Sequence, residues 1–280
     1  MPTAHELAFA AGTPLVLLLF FLSAQHVLAK AGAVESNRSA RAVLQASYLF
    51  GVFSVAAAVV AGCVHGEDVK ADLLWTAAFG GSAILLLVIT GRLGVQVLLR
   101  QRLQEELSRD NLAAAIAAGS HYVATAILLA RCLYGDDLHT LGISIAFFAI
   151  AHATLHVFLI LFRALTVYDD FEEIIGGNIA AALSYAGITL ALALIIGHAA
   201  EGTFVSWGES LKAYGKALFV AIALYPVRQI VVQGIVLRGG FALRKGRLDH
   251  AIGRERDVGL ATLEAAAYLA TAFFVSRLSG

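Results

Sequence analysis

Apolar residues fall in eight runs divided by short polar stretches: about Leu7 to Ala29, Ala42 to Val64, Leu73 to Leu99, Leu112 to Leu133, Leu141 to Leu165, Ile179 to Gly197, Ala213 to Leu237 and Gly259 to Val275. Each is close to the ~20 residues a helix needs to cross a bilayer, so the pattern predicts an all-α integral membrane protein with eight transmembrane helices. No basic region precedes the first run, and Gln25, His26 and Lys30 stand where a cleavage site would be sought, so it reads as a retained helix and not a signal peptide.

The polar stretches repeat. Tyr168-Asp-Asp-Phe-Glu-Glu-Ile-Ile-Gly-Gly-Asn178 leads directly into Ile-Ala-Ala-Ala-Leu183. An acidic segment, a glycine break, a capping Asn and small residues opening a membrane-length helix together make a re-entry signal. Ser108-Arg-Asp-Asn111-Leu-Ala-Ala-Ala-Ile116 copies it, Arg254-Glu-Arg-Asp257-Val-Gly-Leu-Ala-Thr-Leu263 does so more loosely, and Ser36-Asn-Arg-Ser-Ala-Arg-Ala-Val-Leu44 faintly. The expectation is four copies of one two-helix unit, a first pair over residues 1–134 and a second over 135–280. A two-span unit has even parity, so the four copies enter the membrane in the same direction, which excludes an inverted-repeat transporter scheme.

Charge sets an orientation. Lys30, Arg38, Arg41, Arg100, Arg102, Arg109, Arg163, Arg238, Arg244, Lys245, Arg247, Arg254 and Arg256 follow odd-numbered helices, against Lys70, Arg131, Lys212, Lys216 and Arg277 on the other side. The positive-inside rule then puts both termini outside the cytoplasm. The linkers at 101–110 and 238–257 carry mixed charge and could form short helices on the cytoplasmic surface, the second with a basic bias suited to anionic headgroups or to a partner.

Composition closes off other classes. With 59% hydrophobic and 14% charged residues, the chain is not a soluble domain, and its net charge of zero gives nucleic-acid binding no support. The nucleotide loop, serine-hydrolase elbow and zinc-protease helix motifs are all missing, so neither an enzyme nor a cofactor protein is indicated. Lys216, near the end of the seventh helix, is placed to snorkel and not to form a Schiff base. A disulfide between Cys63 and Cys132 is conceivable from their positions, but two small apolar residues are the simpler reading.

The repeated Gly-Asn-Ile-Ala-Ala-Ala signal resembles the bacterial membrane proteins of domain of unknown function 350, including the YjfL-like proteins. The likeness is best over Arg163 to Gly197, good over Arg100 to Leu133, and faint in the first and last units. It implies tandem two-helix domains in the bacterial inner (plasma) membrane and no particular activity.

Candidate chemistry therefore comes from polar residues inside the spans. His121 on the fourth helix and His152 on the fifth fall near mid-membrane, and His156 shares a face with His152 because residues four apart stack. Three histidines at one level could relay protons, ligate a transition metal or bind haem, or could be structural imidazoles bonded to Ser120, Thr154 or Ser184. Without a nearby carboxylate or Cys, no metal-ligand set is assigned.

Arg228 and Glu264 are expected to form an intramembrane ion pair, with Arg92 at a similar depth. Aligning the repeats puts Gln45, Ala117, Ser184 and Glu264 at one position. Two arginines against one glutamate predict a net positive layer that an anionic substrate or lipid headgroup would balance, unless Glu264 bridges both or Arg92 snorkels inward; a purely structural Arg–Glu clamp is the alternative, and Pro226 predicts a kink beside it. Small residues on the even-numbered helices suggest an inner ring, with odd-numbered helices facing lipid.

The leading functional expectation is a transport or channel-like protein for a small ion or solute, with His121, His152, His156, Arg92, Arg228, Glu264, Gln45 and Ser184 as candidate lining. The alternative is a non-transporting scaffold that binds lipids or a partner through residues 238–257. A haem-binding redox protein comes third. Membrane lipids are expected partners in every case, and the small-residue faces leave a homo-oligomer open.

Overall fold

The structure, a computed structural model, describes residues 4–28, 39–66, 68–202, 204–240 and 246–278. The faint repeat signal from Ser36, the basic residues Lys30 and Arg38, and Arg244 and Lys245 of the second linker lie outside the described residues. Among the described residues there is helix and no strand, and eight helices are long and apolar enough to cross a membrane.

The helices are α1 (Ala4–Leu28), α2 (Ser39–Cys63), α3 (Val69–Leu99), α4 (Leu103–Ser108), α5 (Leu112–Cys132), α6 (Leu138–Arg163), α7 (Asp170–Ile175) and α8 (Ile179–Ala200). They are followed by α9 (Trp207–Leu218), α10 (Leu224–Val227), α11 (Arg247–Gly253) and α12 (Val258–Leu278). The short helices α4, α7 and α11 immediately precede α5, α8 and α12, and the linker helices anticipated from mixed charge are α4 and α11.

Caps start the helices where the repeat signal stands. The side chains of Asn111, Asn178 and Asp257 each accept a backbone N–H three residues on, from Ala114, Ala181 and Leu260. A cap satisfies one of the four donors that the first turn leaves open. The two asparagines also use their amides. Asn111 Nδ2 donates to Glu106 Oε2 at 2.7 Å and to the Ile174 carbonyl ending α7, and Asn178 Nδ2 donates to Glu173 Oε2 and to the Ile252 carbonyl of α11, both at 2.9 Å. Each unit is thus tied to the short helix of the next.

The most extensive helix contacts are α2 with α5, α5 with α8 and α8 with α12. Close approaches show that these four run side by side in one direction. Gly119 of α5 lies against Ser47 of α2, Gly62 near the end of α2 lies against Leu133 just past α5, and Gly187 of α8 lies against Ala265 of α12, where a Cβ would stand 2.5 Å from the Ala265 Cα. Small residues allow such approach where lipid supplies no apolar drive.

They form an open row and not the inner ring expected from the sequence, because α2 and α12 have no extended contact with each other. Burial follows: 78% of the apolar window is buried in α5 and in α8, against 33% in α2 and 22% in α12. The third, fifth and seventh spans sit in the grooves of the row, while α1 packs on α2 and α3. α3 touches α2 and α5, α6 touches α5 and α8, and the seventh span touches α8 and α12.

That seventh span, Trp207–Val236, is irregular. After α9 it tightens to a 3-10 turn (Phe219–Ala223), passes through α10 and widens into a π-helical stretch (Arg228–Val236). Pro226 lies in α10 and cannot donate the bond that would close on Ile222, so the ladder departs from α geometry on both sides of it. The wider π turn keeps Arg228, Gln229, Val232 and Gln233 buried on one face. Cys63 and Cys132 are both buried and unbridged.

Candidate functional site

Histidines from two neighbouring spans meet. The Asp137–Thr140 capping box starts α6, which carries His152 and His156 one turn apart. α5 brings His121 between them and α3. Ring centroids lie 6.0 Å (His121–His152), 5.2 Å (His121–His156) and 4.7 Å (His152–His156) apart, and one ring nitrogen from each falls within 4.8 Å of the other two. His152 Nε2 and His156 Nε2 are 3.2 Å apart, and Phe148 stacks on His152.

His121 is fully buried, and neither of its ring nitrogens has a hydrogen-bond partner. Ser120, Thr154 and Ser184, the hydroxyls available to satisfy these imidazoles, are used elsewhere. Ser120 Oγ donates to the Ala117 carbonyl, Thr154 Oγ1 to the Ile150 carbonyl, and Ser184 Oγ accepts from Tyr168 Oη at 3.2 Å.

Room for the site comes from α3. A Cβ on Gly94 would overlap His121 Nε2, and one on Gly91 would reach 2.5 Å from the Tyr122 ring. These two glycines, a turn apart, admit consecutive α5 side chains. Nothing in the sequence pattern marks them apart from other glycines in spans.

A second polar layer lies between the seventh span and α12. Arg228 Nε donates to Glu264 Oε1, and Arg228 Nη2 donates to Asp249 Oδ1 at 2.6 Å. All three are buried, and Tyr268 Oη donates to Glu264 Oε1 at 3.4 Å. Asp249 comes from α11, a short helix whose mixed charge by itself predicts a place at the surface.

A signal existed. Asp170 of α7 and Asp249 of α11 each stand eight residues before the capping residue of the following helix, Asn178 and Asp257. Asp170 pairs with Arg163 at 2.8 Å. Burial pushes the Asp170 carboxyl up to about 6, against the pull of the Arg163 guanidinium and with a further push from Glu264.

The positive layer expected from two arginines is corrected by this arrangement. One guanidinium stands between two carboxylates, which leaves one formal negative charge, and Glu264 Oε2 and Asp249 Oδ2 have no hydrogen-bond partner. An anion is not what such a layer needs.

Arg92 does not join it. α3 has no extended contact with α12 or the π-helical stretch, and half-buried Arg92 lies near the hydroxyls of Tyr48 and Tyr122, rings stacked edge to face at 4.6 Å.

Gln45 is exposed on α2 and Ser184 buried on α8. Counted from the helix starts Ser39, Leu112, Ile179 and Val258, Gln45 and Glu264 share a position, but Ala117 and Ser184 stand one residue earlier. The single alignment of all four is therefore off by one.

The profile described as Domain of Unknown Function (DUF350) matches twice, over residues 4–133 and 136–278. The chain belongs to this DUF350 family. Each matched segment holds four of the eight spans, and the division falls in the loop between α5 and α6. No curated protein and no solved structure matches the chain.

At the ends of α5, α6 and α8 opposite the short helices, a cavity of about 740 Å³ opens. It is lined by Arg131, Cys132, His139, Ser144, Phe147 and Glu201 among others. Arg131 and Glu201 pair across its rim at 2.7 Å. Phe147 is adjacent in sequence to Phe148, the ring stacked on His152, so the cavity lies about a turn and a half of α6 from the histidines.

Proposed function

We propose that this DUF350 protein is a transport or channel-like membrane protein for a small cation, held inside the membrane by His121, His152 and His156. The observation that carries the reading is the fully buried His121 ring, unbonded at both nitrogens, aimed at two further imidazoles. A buried polar group without a partner costs free energy, and a shared cation or proton removes that cost.

The spacing suits a metal. Bonds of ~2.0–2.1 Å in a tetrahedral shell put ligand nitrogens ~3.4 Å apart. The His152–His156 pair already stands at 3.2 Å, and the set within 4.8 Å closes by a small turn of His121. Three imidazoles would leave a fourth position for water or for exchange, as a site that passes its ion on requires.

The cavity stands on one side of the histidines, about a turn and a half of α6 from them, and the negative Arg228–Asp249–Glu264 layer favours cations over anions. The basic residues flanking α4, α7 and α11 support a cytoplasmic position for that end of the bundle, and the family resemblance supports the bacterial inner membrane.

The test uses protein in liposomes loaded with a metal-sensing dye. Zn²⁺ or Co²⁺ flux is expected, together with visible absorption of nitrogen-ligated Co²⁺, and both are lost in His121→Ala and His152→Ala. Metal binding without flux would favour a structural site in a scaffold, and a Soret band in the purified protein would select haem.

A further inference from the structure

The row α2–α5–α8–α12 is built by one step taken three times, and its two ends are the two halves of the same step. From the helix starts at Ser39, Leu112, Ile179 and Val258, the eighth residues are Ala46, Gly119, Ala186 and Ala265, and the ninth are Ser47, Ser120, Gly187 and Ala266. At the first and third steps the ninth residue of one helix meets the eighth of the next. Ser47 meets Gly119 and Gly187 meets Ala265, while at the α5–α8 step Ser120 and Ala186 are both buried.

Burial extends the rule along each face. Through the ninth residue of α12 runs a face of Gly259, Leu263, Ala266, Ala270 and Phe274, every one exposed. The same positions on α8 (Ala180, Ser184, Gly187, Ala191 and Ile195) are all buried. At the other end, Ala46, Leu49, Phe50 and Phe53 of α2 are exposed, whereas their equivalents on α12 (Ala265, Tyr268, Leu269 and Ala272) are buried or half-buried. So α12 presents unused the surface that receives a next helix, and α2 presents unused the surface that a helix offers to the one before it.

We infer that a second copy of this chain continues the row, its α2 packing on α12 of the first with Ala46 against Ala266. The contact is head to tail and continuous with the three steps already inside the chain, and it closes into a ring or runs on according to the rotation per step. α1 of the incoming copy already packs on its own α2 and α3, so the new contact is made by the exposed face of α2 itself.

The step between copies is looser than those within the chain. Asn111 and Asn178 each donate an amide hydrogen across their step, but the third cap is Asp257, which has no amide to give. Association therefore rests on close apolar packing and is reversible in detergent.

The test is cross-linking in native membranes, in full-length chain carrying Cys63→Ala and Cys132→Ala. Differently tagged Ala46→Cys and Ala266→Cys chains, co-expressed and oxidised, are expected to give a disulfide-linked pair containing both tags. Neither variant alone should cross-link, because a head-to-tail contact never brings a residue to its own copy. Both positions are exposed, so the substitutions leave the fold intact. As an independent measurement, native mass spectrometry from nanodiscs cut directly from the membrane without detergent should show oligomers for the parent and monomers for Ala266→Trp and for Ala46→Trp. A monomeric parent overturns the inference, and so does Ala266→Cys pairing with itself, which would mark a two-fold contact.

Discussion

Glycine at position 94 decides whether His121 can stand where it does. Gly94→Ala places a methyl group on His121 Nε2, so the ring must leave, and Co²⁺ affinity should fall at least tenfold in a titration followed by absorbance. Gly81→Ala, where an added Cβ meets nothing within 4 Å, should bind as the parent does. The capping asparagines act on two helices at once. Asn178→Ala removes both the bond from Ala181 N and the donor to Ile252 O, and should lower stability by about 2 kcal/mol in thermal unfolding. Asp170 gives a pH signature outside the spans. Its carboxyl is raised to about 6 in the fold, so its stabilising contribution is present below the ordinary carboxylate range and is lost as pH rises through about 6. The melting temperature should therefore decline from the ordinary carboxylate range up to about pH 6 and level off above it, and Asp170→Asn, fixed in the neutral form, should flatten that slope. His121, His152 and Asn178 could be singled out from sequence by residue type and spacing alone. Gly94 could not, because its importance lies in what a different helix puts beside it.

In the seventh span a proline and a buried cation share one element. The π-helical turn after Pro226 directs Arg228 toward both α11 and α12, which lets one guanidinium bond Asp249 and Glu264 together. Two acids on one base make the two substitutions unequal. Glu264→Gln leaves Arg228 its Asp249 partner and removes the surplus charge, so stability should stay within about 1 kcal/mol of the parent. Arg228→Leu strands two buried carboxylates side by side and should cost about 3–5 kcal/mol, measured by denaturant or thermal unfolding. The Arg228–Glu264 contact could be anticipated from depth, since both count to the same level from their helix ends. Asp249 could not, because a short helix in a charged linker reads as surface until its packing under α8 and α12 is seen.

Across the whole molecule, the eight spans follow from apolar runs of membrane length, and the repeated caps follow from Asn and Asp ahead of small residues. Both are local properties of the chain, because in hydrocarbon a backbone must satisfy its own hydrogen bonds, and so the sequence alone determines them. Whether even-numbered spans close on themselves is not local. Small residues on α2, α5, α8 and α12 were compatible with a ring, but closure depends on the angle turned at each step, and here α2 and α12 stay apart. The same holds for the polar interior. Sequence placed histidines and charges at depths along their helices, a one-dimensional quantity given by rise per residue. Only packing decided that His121 would face His152 and His156 across the α5–α6 groove, that Arg92 would stand apart among tyrosines, and that the arginine layer would carry surplus negative charge. Azimuth around a helix and partnership between linkers are set by neighbours far along the chain, and no period in the sequence encodes them.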